Sequence, residues 1–218
     1  MKRPTRKQVY VLAIVLCWIG VASVWWLRRE VSLTDHAKTV IEAVYDADGR
    51  TLMKYAFEEE IRANDLTPRK LGRVFNEIVL PRISALEKSE SLITQNNGEQ
   101  GIAEYEYRTR HGQSFTFAAD VYPVDGEVRS PILRYLFGAW LFSYYNEHDE
   151  PFTIIGRNKA VIEGLKQDQE LLRDIGITHL VDLNVIEGKV IIIPTSDLIE
   201  RYEAWNEQLE AAQINSGG

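Results

Sequence analysis

The stretch Ile102–Tyr122, IAEYEYRTRHGQSFTFAADVY, decides the fold. Tyr105, Tyr107, Phe115 and Phe117 stand at odd positions, and Glu104, Glu106, Arg108 and Arg110 at even ones. This alternation of period two predicts β-strands rather than helix. A two-residue turn at His111 and Gly112 would set Phe115 opposite Arg108 and mix the faces. A three-residue loop, Arg110 to Gly112, instead pairs Tyr107 with Phe115 and Tyr105 with Phe117, and puts Gly112 at the left-handed position that such loops favour. The prediction is a hairpin with one aromatic face, to be covered by helices, and one charged face that meets water.

Helical patterns lie on both sides of it. Thr34 or Asp35 caps a helix running to about Asp46, with Ala37, Val40, Ile41 and Val44 on one face. Asp48 and Gly49 then read as a turn. Thr67 and Pro68 give a cap and a first-turn proline to a second helix, whose apolar set is Leu71, Val74, Phe75 and Ile78. Pro81 should kink or end it, with Ile83 and Leu86 continuing beyond. After the hairpin, Pro131 opens an apolar stripe of Leu133, Leu136, Phe137, Trp140, Leu141 and Tyr144 at helical spacing. As core, this stripe covers the aromatic hairpin; as surface, it would meet a partner or lipid, since Trp and Tyr are enriched at both kinds of interface. A further helix is expected over Asn158–Ile175. A second hairpin follows, with its turn at Glu187 and Gly188, pairing Val185 with Val190 and Leu183 with Ile192; its second strand, with Ile191 and Ile193 both apolar, reads as buried on both faces. Thr195 or Ser196 caps a last helix carrying Leu198, Ile199, Tyr202, Trp205 and Leu209.

The fold class is therefore α+β, with antiparallel hairpins packed on several amphipathic helices. Over Thr34–Val124 the order helix, kinked helix, long aromatic hairpin is similar to the cone-shaped α+β domains of the nuclear-transport-factor-like and cystatin-like classes. That resemblance implies a curved sheet wrapped on a long helix, with a hollow able to hold a small ligand. It carries no catalytic residue over to this chain, and the segment after Ser130 departs from the usual short continuation.

Val9–Leu27 contains nineteen residues without a charge, opened by Lys2, Arg3, Arg6 and Lys7 and closed by Arg28 and Arg29. A helix of that length spans about 28 Å, close to the hydrocarbon core of a bilayer. It is apolar all round, and Tyr10, Trp25 and Trp26 lie at its ends, where aromatic rings favour the headgroup layer. The bias of basic residues predicts a cytoplasmic tail 1–8, a transmembrane helix 9–27, a linker 28–33, an extracytoplasmic domain 34–211 with possible sub-units 34–126 and 130–211, and a flexible tail 212–218. The alternative is export after cleavage of a signal peptide near Ala22. Leu16 stands where lipidation at Cys17 would need a small residue, so Cys17 reads as an apolar residue in lipid.

Residues 1–30 hold six of the 25 basic residues and one of the 32 acidic ones, so residues 31–218 carry 19 positive against 31 negative charges. Such an excess argues against nucleic acid as a partner. No Cys lies outside the apolar segment. Asp46, Asp48 and Gly49 resemble the start of a calcium loop, but Arg50 follows and the later acidic ligands are missing, so a plain turn is expected. Asn146–Glu150 reads as a solvated helix end and Glu58–Glu60 as a charged surface patch. His36, His111, His148 and His179 share no ligand spacing, and no Gly-x-Ser-x-Gly elbow or phosphate loop appears. No cofactor or metal is expected. The expectation is a non-enzymatic, membrane-anchored domain for protein partners in the membrane or envelope. Its alternative is a tethered small-molecule binder or hydrolase with a pocket of about 300 Å³ lined by Tyr105, Tyr107, Phe115 and Phe117 and converging carboxylates. Leu133, Phe137, Trp140 and Tyr144 complete the candidate partner-contacting or pocket-lining set.

Overall fold

Four antiparallel strands in the order β1-β2-β3-β4 form the main sheet of this α+β protein: β1 (Glu87–Asn96), β2 (Gly101–Arg108), β3 (Ser114–Val124) and β4 (Glu127–Arg129). The computed structural model describes residues 32–186 and 189–216. The segments 1–8 and 9–27, expected to be a cytoplasmic tail and a transmembrane helix, lie outside the described residues. Among the described residues, no helix is long and apolar enough to cross a membrane.

The β2–β3 hairpin has the expected register: Tyr107 faces Phe115 and Tyr105 faces Phe117. Thr109 N–H donates to Gln113 O at 2.9 Å, and Gly112 takes φ +81° in the loop between them, a backbone that favours a residue without Cβ. Helix α1 (Leu33–Tyr45) buries Ala37, Val40, Ile41 and Val44 and lies across β2 and β3. Its Tyr45 hydroxyl is hydrogen-bonded to that of Tyr107, and burial raises the pKa of both phenols.

Asp48 does not simply turn the chain. Its carboxylate accepts from Arg50 N and Thr51 N at 3.0 and 3.3 Å, capping helix α2 (Gly49–Tyr55). Gly49 sits so close to the Pro68 carbonyl that a Cβ there would overlap it. Helix α3 (Glu58–Asn64) follows, then α4 (Pro68–Val74), capped by Thr67 as its sequence predicts. Pro81 neither ends the helix nor sharply interrupts it. The backbone widens into a π-helical turn over Phe75–Val79, with Leu80 N–H bonding Phe75 O, before α5 (Leu80–Ile83) completes it. A widened turn relieves the clash that a proline ring makes with the carbonyl four residues earlier.

A 3₁₀ turn (Ile132–Arg134) leads into α6 (Tyr135–Glu147), which packs beside α7 (Ile154–Ile175). Gly164 of α7 lies against Trp140 of α6, where a Cβ would overlap the indole. The Trp140 Nε1–H donates to Asp168 Oδ2 at 2.7 Å, and Arg82 reaches the other oxygen at 2.9 Å. The second sheet pairs β5 (His179–Ile186) with β6 (Lys189–Pro194), and α8 (Thr195–Ser216) closes the chain. Val185 faces Val190 as expected, but an irregularity between Val181 and Val185 moves the register, so Val181 rather than Leu183 faces Ile192. β6 is not buried on both faces: Ile193 is buried while Ile191 is exposed.

Candidate functional site

β4 is only three residues long, and its brevity leaves most of β3 bare on one side. The Asp125–Gly126 turn, with φ +51° and +83°, closes the β3–β4 hairpin at the pair Val124 and Glu127. In an antiparallel ladder, the residues flanking such a turn exchange hydrogen bonds, and alternate residues then aim to opposite sides. Val124, Tyr122, Asp120, Ala118, Thr116 and Ser114 therefore direct their backbone groups away from β2. The Thr109–Gln113 bond at the other end gives the same phase, since it directs the odd positions towards β2.

The pairing with β4 ends at Tyr122. Asp120 O is met by the Ser130 hydroxyl at 2.7 Å. Among the described residues nothing hydrogen-bonds the outward N–H and C=O groups of Thr116 and Ala118. A cavity of about 260 Å³ lies along this edge, bounded by Thr116, Ala118 and Asp120 on the strand, Phe137 and Leu141 of α6, and Arg157 of α7. Further along, a second hollow lies over Ser114 and Thr116 beside Phe152, which is 56% exposed.

The two arginines at the cavity differ in their surroundings. Arg134 forms an ion pair with Asp120, whose Oδ2 also accepts from the Tyr122 hydroxyl at 2.6 Å. Burial and the adjacent Asp120 charge push the Tyr122 phenol up to about 12. Arg157 has no such partner. Its Nε is buried without an acceptor, its guanidinium lies 5.3 Å from the Trp205 ring, and among the described residues no carboxylate pairs with it.

Behind this edge lies Glu60, which is not part of a surface patch. Its side chain is 0% exposed, and its two oxygens accept from Phe57 N at 3.1 Å, Ile132 N at 3.2 Å and Leu133 N at 2.8 Å. Burial outweighs these donors and pushes its pKa up to about 7. Through them Glu60 holds the turn that precedes α6, the helix forming one wall of the cavity.

The aromatic hairpin face and the apolar stripe are brought together as core. Tyr107 and Phe117 pack on Phe142, and Phe115 on Phe142 and Tyr145, while Tyr105 stacks edge-on with Tyr45 under the Lys88 ammonium. Leu133, Phe137, Trp140 and Tyr144 are all buried, with Phe137 at 3% and Trp140 at 1% exposure, so the stripe packs chiefly as core. Phe117 and Phe137 do line the cavity, at the margin of the aromatic face rather than in a hollow enclosed by it, and its charged lining is one carboxylate, Asp120, with two guanidiniums, Arg134 and Arg157. Within residues 146–150, Asn146 accepts from Arg110 N, Glu150 from the Tyr144 hydroxyl, and His148 stacks on Tyr144 at 4.3 Å. Among the described residues no group of three His, Cys, Asp or Glu side chains is placed to hold a metal ion. The Ser130 hydroxyl bonds Tyr135, not an imidazole, so it lacks the base that would activate it.

Arg157, Asp120 and the bare strand edge escape a reading of the sequence. The one available signal was Asp125–Gly126, a dipeptide typical of tight hairpins, which marks where β3 must end and β4 begin. Comparison with protein-family models, curated proteins and solved structures finds no match to this chain.

Proposed function

We propose that this protein is a single-pass, membrane-anchored domain that binds protein partners on the extracytoplasmic side of the membrane. The uncharged run Val9–Leu27, with four basic residues before it and two after it, carries the anchoring part of this reading. The partner-binding part rests on the groove beside β3, whose free backbone groups and unpaired guanidinium invite a polypeptide. The acidic balance of residues 31–218 directs the domain away from nucleic acid and anionic lipid.

A reporter fused after Gly218 tests the topology. Activity on the extracytoplasmic side is expected, and replacing Arg28 and Arg29 by neutral residues should strengthen that orientation. A cytoplasmic reporter would overturn the reading. Cleavage near Ala22 would show instead as a shorter, membrane-released chain. The second reading, a tethered binder of a small molecule, draws on the same cavity: its apolar walls and single unpaired guanidinium would suit a compact apolar carboxylate, and saturable binding of such a compound with no competition from peptides would favour it.

A further inference from the structure

The main sheet has two edges, and they are treated differently. β1 carries Glu87, Lys88 and Glu90 and breaks register between Lys88 and Leu92, which are devices that discourage pairing with a further strand. The exposed stretch of β3 carries Ser114, Thr116 and Ala118, with no charge before Asp120 and no bulge against β2. Its unbroken register extends for about 20 Å, the length of a short peptide strand.

Its surroundings specify what fits. At one end, β4, Ser130 and the Asp120–Arg134 pair close the groove, so an added strand cannot run on past Asp120. The cavity beside Thr116, Ala118 and Asp120 offers apolar walls for one or two side chains, and Arg157 in its lining offers a guanidinium with no anion. A peptide that ends in this cavity places its terminus in a lining that holds two arginines, one already neutralised by Asp120 and one not. An ammonium terminus would be repelled, whereas a carboxylate supplies what Arg157 lacks. The opposite end is open, with exposed Phe152 beside it.

We propose that the C-terminal segment of a partner protein adds as a strand to the edge Ser114–Asp120 of β3, with its terminal carboxylate on Arg157 and an apolar side chain in the adjoining cavity. Backbone pairing supplies affinity at Thr116 and Ala118, and the cavity and Arg157 supply selectivity. This deepens the partner-binding reading above and rests on it.

The test uses the full chain in lipid nanodiscs and a pool of random heptapeptides, presented once with free C-terminal carboxylates and once amidated. Free-acid peptides ending in apolar residues should be retained, and amidation or Arg157→Gln should weaken them roughly tenfold or more, as for loss of a charge-assisted hydrogen bond. Ala118→Pro removes an N–H that faces only the incoming strand, so it should abolish binding while thermal unfolding shows the fold kept. In the unaltered protein, hydrogen exchange at the Thr116 and Ala118 amides should slow on binding, while Phe115 and Phe117, already paired with β2, should not change. Equal binding of amidated peptides, indifference to Arg157→Gln, or failure of any heptapeptide to bind would overturn the proposal. So would concentration-dependent protection of these amides without peptide, which would assign the edge to a second copy of the chain. The topology reporter separates the two ideas: an extracytoplasmic reporter with a failed peptide screen overturns only the strand addition, and a cytoplasmic reporter overturns only the location.

Discussion

The carboxylate of Glu60 accepts a hydrogen bond from the backbone of Leu133 at 2.8 Å, joining helix α3 to a turn 73 residues later. It is a carboxylate doing the work of a helix cap from outside the helix, at a position with no access to water.

Its consequence is a pH dependence of unusual sign. Unfolded, Glu60 releases its proton near 4.5, whereas folded it keeps the proton to about 7. The folded state binds more protons between these values, so its stability falls as pH rises through that window and stays at the lower level above it. The change amounts to about 3 kcal/mol. Denaturant unfolding of the full chain at pH 5, 6, 7 and 8 should show it, and Glu60→Gln should be weaker at pH 5 yet much flatter with pH. An unchanged slope in the variant would assign the effect to another group.

The Asp120–Arg134 pair is nearly buried, with both side chains 20% exposed or less. Asp120→Ala strands a guanidinium and removes the acceptor of the Tyr122 hydroxyl, which should cost about 3 kcal/mol or more. Asp120→Ala combined with Arg134→Met should cost clearly less than the sum of the two. A double-mutant cycle by chemical denaturation measures the difference, and additivity would show the pair to be uncoupled.

Gly164→Ala should displace the Trp140 indole and break its bond to Asp168. A loss of about 2 kcal/mol is expected, within the usual range for overpacking. A reduced near-ultraviolet circular dichroism signal from Trp140 is the direct readout, and a variant with both stability and spectrum intact would contradict the close approach of α6 and α7.

Asn64 behaves as a substitute strand. Its Oδ1 accepts from Thr178 N and His179 N at 2.8 and 2.9 Å, and its Nδ2 donates to His179 O at 3.0 Å. Asn64→Ala orphans all three backbone groups and should destabilise by about 3 kcal/mol. Faster amide exchange at Thr178 and His179 should accompany it; exchange unchanged there would place the lost stability elsewhere.

The elements legible from the sequence are those with strong local signals. Tyr105, Tyr107, Phe115 and Phe117 alternate cleanly, and only one loop length keeps them on a single face, so the register followed without knowledge of the fold. Thr67–Pro68 and the apolar periods of α6 and α7 are equally local. β1 is different: Glu87–Asn96 is largely exposed on both faces, so it has no alternation to read, and it exists because β2 pairs with it. Glu60 looks like its exposed neighbours Glu58 and Glu59, since what buries it comes from Ile132 and Leu133. The cavity was hidden for the same reason. Arg157 is an ordinary helix arginine until β3, α6 and α7 are set around it.

Helix α3 has one further implication, for the order in which the chain can mature. Its seven residues leave the ribosome early, yet Glu60 waits for Leu133 and Asn64 waits for His179, 115 residues downstream. Until that late segment emerges, α3 carries a carboxylate and an amide whose partners have not been synthesised. Helix α3 therefore gains its full set of contacts only once His179 has been made, and a product released short of it lacks the backbone groups that Asn64 pairs with.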